Sequence, residues 1–280
     1  MGTTLLELSI YGIAMKALMK QVVKSLIPKV VLKVSLRTSL RINHLLDDKR
    51  NAGKTVREVF TQIYNERKWI GGSGSGSEEK AVTQPYVNKI MEFLKTYRQN
   101  KPRLVDLGCG NLKVGENFIN YSSEYICIDI VPALIEKLKS AEYPNHVKFL
   151  CLDVVEDDLP NGDMAFLRQV LQHLSNEQIV RILPKLKKYK VVFITEHYPT
   201  DNPKIVPNKN MIHGSKIRVL NNSGVYLDKP PFNVPTKALQ LILEVPGIGL
   251  GIACDDQGVI RTYKLEFKAM PFYTHSNSHA

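Results

Sequence analysis

Short apolar runs alternate with amphipathic stretches along the second half of the chain. Five runs between residues 103 and 197 have the length of strands: RLVDLG, EYICIDI, VKFLCLDV, DMAFLRQV and KVVFITEH. Apolar positions three and four apart predict helices between them, at about 114–120, 131–140 and 175–188. This alternation predicts a parallel sheet with helices on both faces. Strands at about 217–227 and 258–268 would complete seven strands with an antiparallel pair.

Helical patterns precede the predicted sheet. Apolar residues recur at helical spacing over 54–68 and over 78–99. Residues 4–45 predict two helices broken at Pro28, with basic residues four positions apart in each: Lys16, Lys20 and Lys24, then Lys29, Lys33, Arg37 and Arg41. Such stripes are typical of helices that lie on an anionic membrane surface, although a solvated face or a docking partner would also explain them.

The sequence therefore predicts four parts. Residues 1–53 form a basic helical extension, 54–100 a helical lid or cap with a Gly/Ser segment, 101–270 the catalytic domain and 271–280 a disordered tail. The first 60 residues hold eleven basic and four acidic residues, so they carry most of the net charge of +11. A basic chain suits nucleic acid, a membrane surface or acidic substrates.

The four cysteines are Cys109, Cys127, Cys151 and Cys254, and they form no CxxC pair. Such spacing indicates reduced thiols in a cytoplasmic protein, and neither a disulfide framework nor a zinc site. The longest uncharged N-terminal run, from Leu8 to Met15, is too short to span a bilayer. We therefore expect a cytoplasmic protein that lies at a membrane only peripherally.

The strongest motif is RLVDLGCGNLKVG, residues 103–115, in which a strand ends at Asp106 and a turn with Gly108 and Gly110 follows. Glycine lets a backbone approach a ligand closely at the carboxyl end of a strand. Asp129 ends the second strand, where an acid is placed to bind a ribose diol. Asp153 ends the third strand. Ligands of open α/β sheets bind at these carboxyl ends, so the three acids predict one nucleotide-like site.

These residues resemble the class I S-adenosylmethionine-dependent methyltransferases over about residues 80–270. The resemblance implies a Rossmann-like sheet, S-adenosylmethionine as cofactor, S-adenosylhomocysteine as product and no metal. It places the DxGxG turn beside the methionine part of the cofactor, Asp129 at the ribose and Asp153 beside adenine. The cofactor set that it implies is Asp106, Gly108, Cys109, Gly110, Asp129, Ile130, Asp153, Val154 and Gln169.

One position departs from the pattern of this family. The usual third glycine is Leu112 here, and Gly115 lies three residues later. Leu112 leaves open a protein that keeps the fold only for binding or as a scaffold. A dehydrogenase is disfavoured, because its G-x-G-x-x-G turn would need glycine where Lys113 stands.

The segment WIGGSGSGSEEK, residues 69–80, is either a flexible tether or a lid. A subgroup of these methyltransferases, often found near bacterial surface-glycan genes, has similar WGG-SGSGS and SGVYLD-PPFN segments. We therefore predict a lid whose backbone amides approach an anionic group, with Trp69 behind it. The predicted lid and substrate residues are Trp69, Gly74, Ser75, Gly76, Ser77, Tyr226 and Asp228.

Three polar residues are candidates for catalysis. His173 follows the fourth strand, and Glu196 and His197 end the fifth. A base is needed only if the acceptor carries a proton of high pKa. We expect His197 to act as the base, ahead of His173, although packing or substrate positioning would also explain each residue.

The leading prediction is methylation at oxygen of a small molecule or of a sugar or glycan precursor. A nucleic-acid methyltransferase is the alternative enzyme class. It is disfavoured because RQVL, residues 168–171, replaces the N/D-P-P-Y-type tetrapeptide of base-amino enzymes, and the positive charge lies outside the catalytic domain.

Overall fold

The computed structural model describes residues 38–39, 42–43, 45–69, 79–97, 100–248 and 257–267. Most of the predicted N-terminal helices and all of residues 71–77 lie outside these ranges. Residues 42–43 and 45–51 are helical. No helix in the described ranges is long and apolar enough to cross a membrane.

The core of the fold is one seven-stranded sheet. Its strands are β1 (Arg103–Leu107), β2 (Glu124–Asp129), β3 (Val147–Cys151), β4 (Met164–Arg168), β5 (Val191–Tyr198), β6 (Leu239–Pro246) and β7 (Val259–Glu266). They lie in the order β3-β2-β1-β4-β5-β7-β6. The first five strands pair in parallel, and β7 pairs antiparallel with both β5 and β6. The predicted α/β class and sheet are confirmed.

In the described part of the chain after residue 55, four α-helices pack around the sheet: α1 (Val56–Asn65), α2 (Lys80–Leu94), α3 (Pro132–Lys139) and α4 (Asn176–Leu186). Two of them begin with capping boxes that satisfy the free amides of the first turn. Thr55 and Glu58 cap α1 in this way, and Ser175 and Gln178 cap α4. The predicted helix at 114–120 is a 3-10 helix, Gly115–Tyr121, in which the Asn117 side chain donates to two backbone carbonyls.

The sixth strand was placed wrongly by the sequence pattern. Residues 217–227 contain a 3-10 helix, Arg218–Asn221, and Asn222 then adopts a left-handed conformation that stops any strand. Their apolar side chains, including Val219 and Val225, are buried without sheet pairing. The strand found in the sheet instead is β6. Its residues do not alternate between buried and exposed as those of a half-buried strand would.

The turn after β1 places a leucine where the backbone is left-handed. Gly108, Gly110 and Leu112 have φ values of 80°, 56° and 64°. A non-glycine residue is strained in this region, by roughly 1–2 kcal/mol. Burial offsets the strain, because the Leu112 side chain is 0% exposed and belongs to the main core.

At Leu112 we predict that glycine is a less destabilising replacement than alanine, the reverse of the order usual in a helix. Both Leu112→Ala and Leu112→Gly remove a buried side chain, at a cost of about 2–5 kcal/mol. Leu112→Gly also removes the backbone strain, so it should unfold at higher urea concentration than Leu112→Ala, by about 1 kcal/mol in the free energy of unfolding. At Ile182, in the middle of α4, glycine should instead be the worse substitution. If the alanine variant were the more stable one at both positions, this account of Leu112 would be contradicted.

Candidate active site

A deep cavity opens at the carboxyl ends of β1 to β4. It encloses about 1100 Å³, its open mouth included. The strand ends form its floor, while α1, Trp69 and Tyr86 of α2 line it from the other side. The helical region ahead of the sheet therefore helps to enclose the site.

The glycine turn fits tightly against the loop after β4. The amides of Gly108 and Cys109 both donate to the carbonyl of Ile128, each at 2.8 Å. A Cβ on Gly108 would lie 2.5 Å from Cγ2 of Val170. The turn therefore needs glycine at 108 both for its left-handed backbone and for this close approach.

Leu112 does not line the cavity, whereas Asn111, Val114 and Gly115 do. Position 115 has no room for a side chain. A Cβ there would lie 2.5 Å from Oδ2 of Asp106 and 2.6 Å from the hydroxyl of Tyr125. Glycine at 115 thus makes room for the hydrogen bond of 2.9 Å that Tyr125 donates to Asp106.

The three acids predicted from the motif all line this cavity. Asp129 accepts hydrogen bonds from the amides of Gly110, at 3.1 Å, and Val131, at 3.0 Å. Asp153 accepts one from Val155 at 2.8 Å. Burial raises the pKa of all three carboxyl groups, and that of Asp106 reaches about 6. The remaining predicted cofactor residues, Gly108, Cys109, Gly110, Ile130, Val154 and Gln169, line the same cavity.

Arg168 is a cavity residue that the sequence analysis missed. It is the last residue of β4, and its guanidinium carbon lies 5.4 Å from the centre of the Tyr86 ring. Its charge also acts on Asp106. The signal that could have identified Arg168 is its position at the carboxyl end of a strand, the position that the acids also occupy. Its contact with Tyr86 could not be predicted, because Tyr86 belongs to a helix distant in sequence.

Trp69 lies in the cavity wall, as the lid prediction requires. Its ring centre lies 5.7 Å from that of Phe60, 5.5 Å from Tyr64 and 5.2 Å from His173. Phe60 and His173 are themselves 6.3 Å apart. We call Phe60, Tyr64, Trp69 and His173 the aromatic wall. Gly74, Ser75, Gly76 and Ser77 lie outside the described residues, so their predicted role stays a prediction.

His173 is buried, and its hydrogen bonds fix one tautomer. Its Nδ1 lies 3.1 Å from the carbonyl of Gly214 and 3.0 Å from that of Lys216, so Nδ1 carries the proton. Nε2 is then an acceptor, and the amide nitrogen of Gln172 lies 3.4 Å from it. Burial lowers the pKa of His173 to about 4, so the ring is neutral at physiological pH.

Glu196 and His197 do not line the cavity. Glu196 is 0% exposed and accepts the amides of Val170, Leu171 and Gln172. Burial raises its pKa to about 8. Nε2 of His197 lies 2.6 Å from the carbonyl of Gln257. This geometry gives both residues a positioning role and gives no support to His197 as the base.

Tyr226 and Asp228 also lie away from the cavity. The Tyr226 ring packs edge-on against Tyr198, with the centres 5.2 Å apart, and Asp228 forms an ion pair with Lys229. They belong to a loop that packs beside β5, and their predicted contact with substrate has no geometric support. No cluster of three or more metal-ligating side chains is present among the residues that the structure describes.

Comparison with known proteins agrees with this geometry. The family model described as "Methyltransferase domain" matches residues 105–188, which span β1 to α4. No curated protein sequence matches the chain.

Among solved structures, the chain is similar to the N-methyltransferase NodS from Bradyrhizobium japonicum WM9 in complex with S-adenosylhomocysteine. The TM-score is 0.50 at 10% identity, over 74% of this chain and 98% of NodS. The 1,6-didemethyltoxoflavin-N1-methyltransferase of Burkholderia thailandensis gives 0.48 at 13% identity, over 75% of this chain and 87% of that one. The magnesium protoporphyrin IX methyltransferase of Synechocystis PCC 6803 gives 0.47 at 13% identity, over 77% and 98%.

NodS supports the fold alone, whereas the family match concerns the domain that holds the cavity. Residues 105–188 thus match a methyltransferase domain, and the predicted enzyme class, an S-adenosylmethionine-dependent methyltransferase, is confirmed.

Proposed function

We propose that the cavity binds S-adenosylmethionine at the three strand-end acids and a small-molecule acceptor at the aromatic wall. The observation that carries this assignment is the convergence of Asp106, Asp129 and Asp153 with the glycine turn on one cavity. When bound, S-adenosylmethionine supplies an electrophilic methyl group to an oxygen or nitrogen of the acceptor, which loses a proton.

The residues of the cavity fit the polar groups of this cofactor. Asp129 uses each oxygen for one backbone amide, so lone pairs remain for the hydroxyls of a ribose. Asp106 provides a carboxylate for an ammonium group, and Arg168 provides a guanidinium for a carboxylate. Gly108 keeps the backbone bare where a ligand approaches.

His173 positions the acceptor in this proposal and does not serve as a strong base. A group of pKa about 4 is poorly matched to take a proton at neutral pH. Its neutral Nε2 can accept a hydrogen bond from an acceptor hydroxyl once that hydroxyl replaces the side-chain amide of Gln172, which lies 3.4 Å away. The proton is then lost to solvent as the methyl group is transferred.

Several finer predictions remain proposals of this work. They are a sugar or glycan-precursor acceptor, methylation at oxygen, membership of the subgroup near surface-glycan genes, a lid over residues 71–77, the four-part division of the chain and a cytoplasmic location at a membrane surface. The segment resemblance supports the glycan acceptor, while Trp69 in the cavity wall supports the lid.

Calorimetric titration of S-adenosylhomocysteine tests the cofactor site. The full chain should bind it, and Asp129→Asn should weaken binding by roughly 10- to 100-fold, because a charged hydrogen-bond acceptor is replaced by a neutral one. Asp201→Asn, at an exposed acid away from the cavity, should bind as the wild type does. A folded wild type that fails to bind would favour the non-catalytic scaffold, and equal binding by Asp129→Asn would exclude Asp129 as a cofactor ligand.

The neutral state of His173 predicts a loss of stability in acid. Its pKa is lower in the folded than in the unfolded chain, so unfolding takes up a proton as the pH falls from about 6.5 towards 4. Between about pH 7.5 and pH 5 the wild type should lose about 2 kcal/mol more of its free energy of unfolding than His173→Asn. Asparagine keeps a donor near the position of Nδ1 but does not titrate. Identical pH dependence in urea unfolding of the two proteins would contradict a neutral His173.

Membrane contact is testable by flotation with vesicles. Leu45 and Leu46 are 64% and 54% exposed, next to the exposed Lys49 and Arg50. The full chain should float with vesicles that contain phosphatidylglycerol more than with pure phosphatidylcholine, and added salt should weaken the effect. Leu45→Glu with Leu46→Glu should reduce binding about tenfold, while Val180→Glu, at another exposed apolar residue, should not. Equal flotation of both variants would rule out this surface.

A further inference from the structure

No charged side chain that lines the cavity in the described residues belongs to the aromatic wall, although three further rings, those of Tyr86, Phe118 and Phe166, line the cavity outside that wall. Four charged side chains line it among the described residues: Asp106, Asp129, Asp153 and Arg168. All four lie at or just after the carboxyl ends of β1 to β4, where the proposed function places the polar groups of S-adenosylmethionine. The aromatic wall comes from α1, Trp69 and the turn after β4, and Val56, Val170 and Leu174 line the cavity with it.

The aromatic wall is a preformed surface for stacking. Ring centres 5.2 to 6.3 Å apart mean that the wall residues hold one another in place. His173 is fixed further by its two backbone carbonyl partners. A flat ligand can therefore stack without first ordering loose side chains, which keeps the entropic cost of binding low.

The wall offers few partners to a charged or highly hydroxylated ligand. Its polar atoms are the Tyr64 hydroxyl, the Trp69 indole N–H and Nε2 of His173, and none of them is ionised. A phosphate or carboxylate placed here would lose its hydration without gaining a counter-ion from the residues that the structure describes. A sugar ring can stack on aromatic side chains, but most of its hydroxyls would lack protein partners on the wall. A cationic acceptor would meet the positive sulfonium of the cofactor.

We propose that the methyl acceptor is a flat, uncharged aromatic molecule with one hydroxyl or ring nitrogen, stacked on the aromatic wall. This assignment rests on the proposed function and narrows it to a substrate class. It favours an aromatic acceptor over the sugar or glycan precursor that the segment resemblance suggests. Nε2 of His173 would orient the hydroxyl of such a molecule by exchanging its contact with the side-chain amide of Gln172, at 3.4 Å, for the new hydrogen bond.

The test compares four probes on the full chain saturated with S-adenosylhomocysteine. The probes are 2-naphthol, its saturated analogue trans-2-decalol, 2-naphthalenesulfonate and methyl glucoside, with binding measured by calorimetry and by saturation-transfer NMR. We expect 2-naphthol to bind about tenfold more tightly than the decalol, since stacking adds to the burial of apolar area. The sulfonate and the glucoside should bind more weakly still.

Variants of Trp69 locate the binding. Trp69→Ala should weaken 2-naphthol binding about tenfold, while Trp69→Phe keeps a ring and should stay within about threefold of the wild type. Both should bind S-adenosylhomocysteine as the wild type does. If S-adenosylhomocysteine binds but the decalol, the sulfonate or the glucoside equals or exceeds 2-naphthol, the aromatic acceptor is refuted and the proposed function stands. If S-adenosylhomocysteine does not bind, the proposed function fails, and the substrate assignment fails with it.

Discussion

The buried carboxyl group of Glu196 stabilises the turn after β4, and the candidate active site depends on that turn. It is fully buried in β5, yet it accepts three consecutive backbone amides from the turn after β4. A turn with so many buried donors would be costly without this acceptor, because each unsatisfied amide loses its hydration for nothing. The same turn carries Gln169, left-handed at φ 55°, and Val170, which packs on Gly108. The Glu196 carboxyl group therefore stabilises the position of His173, and through Val170 it also stabilises the glycine turn.

The sequence predicts the centre of this fold better than its edge. Strands β1, β2, β4 and β5 are buried along most of their length, so each appears as a continuous apolar run that ends near a polar residue. The acids Asp106, Asp129 and Asp153 were placed correctly for the same reason, since parallel strands bring their carboxyl ends to one edge. The edge strand β6 has no such signal, and Leu241 within it is 48% exposed. The buried segment at 217–227 therefore appeared to be the better strand.

Two kinds of site information could not be read from local pattern. The contacts of Arg168 with Tyr86 and of Trp69 with His173 join elements far apart in sequence, and they exist only once the helices pack over the sheet. Glu196 and His197 failed as catalytic candidates for a related reason. Strand β5 continues to Tyr198, so the two residues lie inside the strand and not at its end, and neither of them lines the cavity.

The electrostatics of the cavity favour a cationic ligand. Three buried carboxyl groups face one guanidinium, and burial raises the pKa of all three, which measures the cost of keeping them ionised without cations nearby. A ligand with an ammonium group and a sulfonium supplies the missing positive charge, while its single carboxylate matches the single Arg168. The four charged side chains that line the cavity in the described residues match the polar groups of the proposed cofactor, and the uncharged aromatic wall remains for the proposed acceptor.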